Sequence, residues 1–305
     1  ALGKMLRANG VLCTLSINSN GLGADGMAQL ATGMEDNHSL TTLDLSSNNL
    51  GAEGARILSS ILETTVLQQL SLQRNVLTDK GGLQLCTSFL RCIDTGLETL
   101  ESLNLEHNEL GETFSKKIAA VILASTKLKK LRLGGNDLSE GMKSIADALA
   151  ENRFLTELSL PDCHIEAKDG AALGAALQTN RTLKVLDVSR NRLSDEGTVA
   201  IADALRRNKV LVSLNLASNS VGDVGGVALA RSIRDNPTLQ ELSLRHNVMT
   251  SKTGEVLDEE LRVNYALQRI DVTYNDFTYK CFSGIQSTLA RNASAWTARA
   301  VPRLQ

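Results

Sequence analysis

The stretch LTTLDLSSNNLGAEGARILSSIL, residues 40–62, changes its hydrophobic period halfway along. In the first half Leu43 and Leu45 alternate with Asp44, which is the two-residue period of a strand. In the second half the apolar residues fall three or four positions apart, as they do on one face of a helix. The stretch therefore predicts a strand followed by a helix, and one such pair is too small to bury its own leucines.

The same pattern recurs ten times, mostly at intervals of 27 or 28 residues. Each copy fits the frame L-x-x-L-x-L-x-x-N-x-L, in which a polar position that we call the marker follows the strand. The residues ten and fourteen positions after the markers form two columns without a charged residue. This regularity indicates that each unit covers the leucines of the next. The ten markers are Asn20, Asn48, Asn75, Asn108, Asn136, Cys163, Asn191, Asn219, Asn247 and Asn275.

The frame, with Asn or Cys at the marker and usually Gly six residues later, resembles the leucine-rich repeats of the ribonuclease-inhibitor type. The resemblance covers residues 1–292 and implies an α/β solenoid, a horseshoe of about ten β-α repeats. Parallel strands would line its concave face and helices its convex face, and the marker side chains would hydrogen-bond turn backbone in a ladder. We therefore predict a single repeat domain over 1–292 that starts inside a preceding repeat, followed by a C-terminal tail over 293–305.

Several helices are predicted to end at an asparagine three residues before the next strand leucine. Asparagine tolerates the left-handed conformation that closes many helices, so we expect that conformation at these ends. The six asparagines are Asn37, Asn152, Asn180, Asn208, Asn236 and Asn264.

The repeat is irregular in two respects. The spacing from Asn75 to Asn108 is 33 residues, because the segment 91–101 lengthens the connection between a helix and the next strand. Insertions in solenoids often serve binding, but a slightly longer helix and loop is the favoured interpretation. In five repeats another residue replaces the glycine, so those turns should differ in detail. The replacements are Phe114, Met142, Asp169, Thr253 and Cys281.

Motifs for catalysis or cofactor binding have simpler explanations in this chain. GLGADG at 21–26 matches the dinucleotide fingerprint, but it aligns with NLGAEG at 49–54 and lacks the surrounding βαβ unit. His107 and His246 share one slot in the fourth and ninth repeats, roughly 24 Å apart at five strand spacings. We therefore predict no enzyme activity, no cofactor or metal and no small-molecule substrate.

The net charge and the cysteine content limit the classes of partner and the cellular compartment that the sequence predicts. The formal net charge of −2 and the pI near 6.2 give no support for a nucleic-acid or anionic membrane partner. The five cysteines include no C-x-x-C pair and mostly occupy apolar slots, which indicates small buried residues in a reducing compartment. The sequence thus predicts a cytoplasmic protein.

The outward strand positions form a long polar surface of mixed sign, and solenoids commonly bind macromolecules on such concave surfaces. Six of the nine aromatic residues follow residue 264, and aromatic side chains dominate binding hot spots. Among these six, Phe277 is expected in the core, and Phe282 and Trp296 are expected to cover the last repeat. Tyr274 takes an exposed slot and is the predicted centre of binding. The predicted partner-binding residues are Arg74, His107, Arg132, Arg190, Arg245, His246, Arg269 and Tyr274.

The leading functional hypothesis is a non-catalytic protein-interaction scaffold, a repeat subunit or module of a larger cytosolic assembly. The repeats resemble those of ciliary and flagellar axonemes, such as dynein regulatory complex subunits, and the C-terminal arrays of NOD-like receptors. They are also similar to the activator of the GTPase Ran, but the final segment ASAWTARAVPRLQ lacks that family's acidic stretch. Ribonuclease inhibitors are richer in cysteine and tryptophan than this chain.

Overall fold

The computed structural model describes residues 2–300, with side chains described for 2–292. The chain divides into two compact units, Ala1–His164 and Ile165–Gln305. In both units a short strand and a helix alternate along the sequence, because the hydrophobic period switches within every repeat. The predicted single domain over 1–292 and tail over 293–305 stay predictions, and the side chain of Trp296 lies outside the described residues.

Within the first unit, as far as it is described, six strands alternate with six helices. Short 3₁₀ turns at Leu62–Thr64 and Ser139–Gly141 adjoin two of the helices. The elements are α1 Leu2–Ala8, β1 Thr14–Ser16, α2 Gly23–Met34, β2 Thr42–Asp44, α3 Gly51–Ile61, β3 Gln69–Ser71, α4 Thr78–Asp94, β4 Ser102–Asn104, α5 Glu112–Ala124, β5 Lys130–Arg132, α6 Met142–Glu151 and β6 Glu157–Ser159.

The second unit continues the alternation with four strands in its described part. Its last helix is the longest of the chain, and it extends past the final repeat. The elements are α7 Ala167–Thr179, β7 Val185–Asp187, α8 Ser194–Arg207, β8 Ser213–Asn215, α9 Asp223–Ile233, β9 Glu241–Ser243, α10 Ser251–Leu261, β10 Arg269–Asp271 and α11 Tyr279–Ala300.

The strands pair in parallel and in chain order within each unit. The central residue of each strand pairs with the central residue of its neighbour, as Leu43 does with Leu70 and Leu214 does with Leu242. This register aligns the central strand residues of the frame in a row that is buried except at Leu15, while the flanking strand residues stay at least partly accessible. The prediction of ten parallel strands in a leucine-rich-repeat α/β architecture is confirmed.

The two apolar columns form the helix side of the core. Residues ten and fourteen positions after a marker are four apart, so they lie on one face of the helix. In both columns every member is less than 9 % exposed except Ala150, which is half-buried. The burial of the two columns is therefore confirmed. Phe277 is half-buried rather than buried, and Phe282 is half-buried as well.

The marker side chains form the ladder that the resemblance implies. The amide nitrogen of Asn48 donates to backbone carbonyls of Ile17 in the preceding repeat (3.0 Å) and Leu45 in its own repeat (2.9 Å). Its amide oxygen accepts from the backbone N–H groups of Asn20 (3.0 Å) and Leu22 (3.3 Å). One buried asparagine thus satisfies the turn backbone of two consecutive repeats.

The asparagines at the helix ends do not adopt the expected left-handed conformation. Asn152, Asn180 and Asn208 have φ between −72° and −62°, with extended ψ. They are buried, and they act through their side chains instead. The Nδ2 of Asn236 donates to the carbonyls of Leu205 (2.8 Å) and Asn208 (3.1 Å) in the preceding repeat. The prediction of their conformation was wrong, because the side chains of these asparagines form a second inter-repeat ladder while their backbone stays extended.

The segment 91–101 consists of the end of a long helix and an anchored loop. Helix α4 is 17 residues long and the loop follows it. The Glu98 carboxylate accepts hydrogen bonds from the Ser125 hydroxyl and from the Thr126 N–H (3.1 Å), and the Thr99 hydroxyl donates to the Leu67 carbonyl (2.7 Å). The longer helix and loop are therefore present, and a binding role for the segment stays a prediction.

Turns with and without the frame glycine differ in most repeats, but not in repeat eight, where Gly225 is present and Gly222 nevertheless precedes the helix with extended backbone. Where Gly26, Gly54 and Gly81 are present, the residue before the helix is a leucine in the helical region. Where Phe114 replaces glycine, Gly111 precedes the helix with extended backbone. The motif GLGADG is such a repeat turn, because Gly23 begins α2 as Gly51 begins α3 in NLGAEG.

Candidate functional site

The strand face of each unit, defined as the surface of its strands that points away from its helices, carries the predicted partner-binding residues: three in the first unit and five in the second. All eight are exposed. Five of them, Arg74, His107, Arg190, His246 and Tyr274, immediately precede a marker. All ten residues in that slot have positive φ, from 54° to 68°. A left-handed conformation costs a non-glycine residue roughly 1–2 kcal/mol, so this strain belongs to the repeat turn rather than to one site.

Three of the predicted residues, Tyr274 and two neighbours, lie in contact with one another. Its ring is 62 % exposed and stacks on the imidazole of His246, with centroids 4.4 Å apart and planes 4° apart. The guanidinium carbon of Arg245 lies 4.3 Å from the centre of the Tyr274 ring. The stack follows from the frame, because equivalent slots on neighbouring strands are about 4.8 Å apart. We call Arg245, His246 and Tyr274 the Tyr274 cluster.

A short hydrogen-bond chain holds Arg245 near the ring. The carboxylate of Asp271 accepts from the N–H (3.0 Å) and the hydroxyl (2.6 Å) of Thr273. Arg245 donates to that hydroxyl at 3.3 Å and lies 3.9 Å from the Asp271 carboxylate. Arg269 pairs with Glu241 at 3.1 Å, and its side chain is 82 % exposed. Such exposed pairs contribute little stability, so these arginines stay available to a partner.

Sequence reasoning missed the role of the carboxylate or amide four positions before the marker. In Asp44, as in Asp271, the side chain accepts from the backbone and the hydroxyl two residues later, here Ser46 at 2.9 Å and 2.5 Å. Burial raises the pKa of Asp44, but hydrogen bonds from Ser46, Asn18 and Ser16 outweigh burial and hold the pKa below its usual value. The signal was available, since Asp or Asn recurs in this slot.

The structure does not gather the other predicted residues into a cluster. The side chains of Arg74, Arg132 and Arg190 make no ion pair or ring contact within the described part of the chain. His107 lies against the backbone of Gly135, where an added Cβ would be 2.1 Å from the imidazole Nδ1. These residues are exposed side chains on the strand face, and they form no joint site.

Sequence reasoning also missed that several aspartates each cap the helix of the next repeat. The carboxylate of Asp223 accepts from the Thr250 N–H (2.9 Å) and hydroxyl (2.6 Å) and from the Thr253 hydroxyl (2.6 Å). Asp195 accepts from two backbone N–H groups of the following repeat, both at 2.8 Å. The signal is again a fixed slot, four residues after the marker.

The Asp223 cap should make stability depend on pH. Burial raises the pKa of Asp223, but its hydrogen bonds to Thr250 and Thr253 outweigh burial and lower the pKa from 3.8 to about 2. Because the folded-state pKa lies below the unfolded value, the stabilisation is complete above pH 3.8 and is lost as the pH falls through about 2. We expect Asp223→Asn to lower the free energy of unfolding by about 1 kcal/mol at pH 6, and the difference from wild type to shrink below pH 3.8.

Urea unfolding of both proteins between pH 2 and pH 7 measures this difference. Asp25→Asn is the control, because Asp25 also lies in the first turn of a helix but is exposed. A constant difference across the pH range for Asp223→Asn would contradict the assigned cap.

The described part of the chain contains neither a metal-binding cluster nor a membrane-spanning helix. No cluster of three or more His, Cys, Asp or Glu residues within the described chain is arranged to hold a metal ion. None of the described helices is long and apolar enough to cross a membrane. Four of the five cysteines are buried, and burial raises the pKa of Cys163 to about 12 and that of Cys92 to about 11. Such thiols are poor nucleophiles.

Solved structures share this fold at low sequence identity. LegL7 from Legionella pneumophila, a leucine-rich repeat-containing protein, is 19 % identical with a TM-score of 0.56, over 92 % of this chain and 91 % of that one. A chain of the yeast Rad7 and Elc1 complex is 19 % identical with a TM-score of 0.52, over 92 % and 74 %. A chain of the TLR13–ssRNA13 complex is 19 % identical with a TM-score of 0.53, over 91 % and 38 %. Likeness at this identity shows the fold alone.

A search of curated proteins found no match to the sequence. A family model described as "Leucine Rich repeat" matches seven segments, which together make up more than half of the chain. The segments are 36–59, 65–86, 96–113, 151–174, 179–202, 207–230 and 235–257. The chain therefore belongs to the leucine-rich repeat family.

Proposed function

We propose that this protein is a non-catalytic scaffold for protein–protein interaction, with the Tyr274 cluster at the centre of a binding surface on its strand face. The observation that carries the proposal is the exposed, stacked pair of Tyr274 and His246 with Arg245 against the ring. Tyrosine and arginine are enriched among binding hot spots. A pre-stacked ring also loses less side-chain freedom on binding than an isolated one.

The character of the strand face favours a protein over a nucleic acid as the partner. Leucine-rich repeat arrays generally act as interaction modules, and among structures of similar fold one is a complex of two proteins and another holds single-stranded RNA. Nucleic-acid binding requires a basic stripe. Here Arg245 and Arg269 are each matched by a carboxylate, Asp271 and Glu241. No stripe is formed among the described residues of this face by the arginines without an ion pair, which are Arg74, Arg132 and Arg190.

The proposal that the protein is non-catalytic rests on side-chain chemistry. Catalysis needs an acid, a base or a nucleophile close together and with a tuned pKa. The Tyr274 cluster instead combines a ring stack, an arginine and a hydroxyl, which suits recognition. Purified protein is expected to bind no stoichiometric ATP or Zn²⁺, and calorimetric detection of either would contradict the proposal.

Tyr274→Ala should weaken partner binding by about 1–2 kcal/mol, which is roughly a 5- to 30-fold loss of affinity. Thermal stability should be nearly unchanged, since the ring is mostly exposed. Tagged full-length protein would be affinity-purified from cells, and co-purifying proteins would be quantified by mass spectrometry. Partners recovered with wild type should fall at least fivefold with the variant.

Tyr265→Ala is a matched control for this experiment. Tyr265 is 55 % exposed and carries Arg291 4.2 Å from its ring centre, but it precedes β10 and does not lie in the strand-face slot. It should retain the partners. If Tyr274→Ala retains them and lowers the melting temperature, Tyr274 is a structural residue and the binding surface lies elsewhere.

We further propose a cytoplasmic assembly as the setting, with the axoneme of cilia or flagella as the first place to test. Support comes from the repeat pattern and from the buried free thiols, which suit a reducing compartment. Imaging of the tagged full-length protein in ciliated cells tests this location. The alternatives are a sensing tail of a NOD-like receptor and a Ran-type GTPase activator, and a GTP hydrolysis assay separates the latter.

A further inference from the structure

A mainly apolar pocket lies beside the segment 91–101 in the first unit. The end of α4, the loop that follows it, β4 and the end of α5 border the pocket. With its open mouth it has a volume of about 470 Å³, which is within the range of small-molecule sites, but its free interior is narrow, about 30 Å³. Ten of its fourteen lining residues are apolar, and the other four are Thr65, Glu98, Thr99 and Ser125.

The pocket lies where the second inter-repeat ladder is interrupted. At the helix ends of other repeats a buried asparagine donates to the preceding repeat, as Asn152 does to the Ile122 carbonyl at 2.6 Å. Three consecutive repeats hold Thr64, Leu97 and Ser125 in that slot. None of these three side chains donates to a backbone carbonyl of the preceding repeat within the described chain. Because the ladder is missing and the connection between the strands is longer here, the helix ends and the loop leave a space between them.

The polar side chains that line the pocket already have partners in the protein. The Thr65 hydroxyl donates to the Leu62 carbonyl (3.1 Å), the Ser125 hydroxyl donates to the Glu98 carboxylate, and the Thr99 hydroxyl donates to a backbone carbonyl. The buried polar side-chain atoms without a partner in the described chain lie outside this lining, on Gln84, Thr182 and Gln268. Water inside the pocket would therefore gain few hydrogen bonds, and cavities of this kind stay dry and take up apolar molecules.

The charge at the pocket favours an uncharged ligand. Glu98 is the one charged residue among the described residues that line it, and its carboxylate accepts from the N–H and the hydroxyl of Thr126, both at 3.1 Å. A carboxylate on the ligand would be repelled by this group. Burial raises the pKa of the Cys92 thiol to about 11, so the thiol in the lining stays neutral.

The mouth of the pocket is formed by an apolar residue. Leu97 is 49 % exposed and is the most accessible of the lining residues, whereas Phe89, Cys92 and Val121 are buried. The Leu97 N–H donates to the Cys92 carbonyl at 2.8 Å, which holds the loop against the end of α4. An apolar chain that enters beside Leu97 would therefore meet apolar side chains from the mouth to the buried end.

We propose that this pocket binds the uncharged hydrocarbon chain of a free small molecule, with Leu97 at the mouth and Phe89, Cys92 and Val121 around the buried end. The narrow interior suits an unbranched chain, because a ring or a branched group is wider. Burial of the methylene groups supplies the affinity. The pocket lies in the first unit and the Tyr274 cluster in the second, so this proposal does not depend on the proposed protein–protein interaction.

Titration of the full chain with straight-chain alcohols tests the proposal. Binding of 1-butanol, 1-hexanol, 1-octanol and 1-decanol is followed through the methyl signals of the isotope-labelled protein in two-dimensional NMR spectra. The affinity should rise about fourfold for each added methylene group and level off once the pocket is filled. The shifted signals should be those of Leu97, Val121 and their neighbours. 1,8-Octanediol and octanoate should bind at least about tenfold more weakly than 1-octanol, because each would bring a second polar end or a charge to an apolar site.

Val121→Ile should fill the pocket from inside, because it adds one methylene group to a lining side chain that is 3 % exposed. 1-Octanol should bind to this variant at least about tenfold more weakly, and the melting temperature should not fall, because the added group occupies free space. Val221→Ile is the matched control. Val221 is 0 % exposed, lies in the second unit and takes a slot where most repeats hold leucine, so this variant should bind 1-octanol as wild type does.

Leu97→Ser is a second variant that keeps the fold, because Leu97 is half exposed. It should weaken the binding of 1-octanol about threefold through the loss of apolar contact at the mouth. Four results would each overturn the proposal: no saturable shift with any alcohol, an affinity that keeps rising with chain length, equal binding of 1,8-octanediol, or unchanged binding to Val121→Ile. Unfolding of Val121→Ile would overturn it as well, because it would show that the pocket has no room for one more methylene group.

Discussion

Replacing Asn75 by alanine is expected to lower the free energy of unfolding by about 3–4 kcal/mol. Asn75 is fully buried, and its side chain makes five hydrogen bonds to the backbone of two consecutive repeats. Alanine would leave the N–H groups and carbonyls of the turns without partners, and each unsatisfied buried polar group costs about 1–3 kcal/mol. The partners are the carbonyls of Leu45, Leu72 and Gln73 and the N–H groups of Asn48 and Leu50.

Asn20 provides the matched control for the ladder, because it is the marker of its repeat, as Asn75 is, but it is exposed. Its side chain donates to the carbonyls of Ile17 and Asn18, both at 2.9 Å, and water can replace these bonds. Asn20→Ala should cost less than about 1 kcal/mol. Urea unfolding followed by circular dichroism measures both variants. Equal losses for the two variants would show that the ladder bonds contribute no more than solvated hydrogen bonds.

Replacing Phe114 by alanine is expected to cost about 3–5 kcal/mol, the usual range for a buried phenylalanine. Phe114 stands where half of the repeats have glycine, and it is 0 % exposed. Its ring fills space that Gly82 of the preceding repeat leaves open, since a Cβ on Gly82 would lie 2.6 Å from the ring. Truncation would leave a cavity between two repeats, because backbone on both sides is fixed by the ladder.

Phe154→Ala is the control for the lost ring, because Phe154 is 45 % exposed on the turn before β6. It should cost less than about 1 kcal/mol. Differential scanning calorimetry of both variants checks the pair. If Phe114→Ala unfolds at the wild-type temperature, the repeats have closed the cavity by moving together, and the ladder is softer than its hydrogen bonds indicate.

The repeats and their buried columns were predictable because a position that is buried in every repeat must hold an apolar residue in every repeat. A column that must stay apolar in ten units leaves a signal that no single unit could give, and the slots of Leu58 and Leu62 were identified in this way. The conformation of Asn37 or Asn152 was not predictable by the same means. Asparagine suits both a left-handed helix end and a side-chain ladder, and residue type alone does not separate the two uses.

The closeness of Tyr274, His246 and Arg245 was predictable but their contacts were not, and a binding role for these residues stays a prediction. The frame placed Tyr274 beside His246 because both precede a marker on neighbouring strands. The hydrogen-bond chain from Asp271 through Thr273 to Arg245 depends on rotamers, which a frame does not specify.

The side chains in the left-handed slot before each marker are regularly spaced and favour partners with a similar spacing. Within either unit they recur once per strand, about every 4.8 Å, whereas an α-helix advances about 5.4 Å per turn. A helical partner lying across the strands would place one turn opposite each repeat. The offset between its turns and the repeats would grow by roughly 0.6 Å per repeat, or to about 2.4 Å over four repeats. An extended partner has side chains on one face only about every 6.8 Å. Its side chains are therefore out of register with the repeats after a single repeat. The row therefore matches helices of about four turns, and longer helices should gain little more affinity from it.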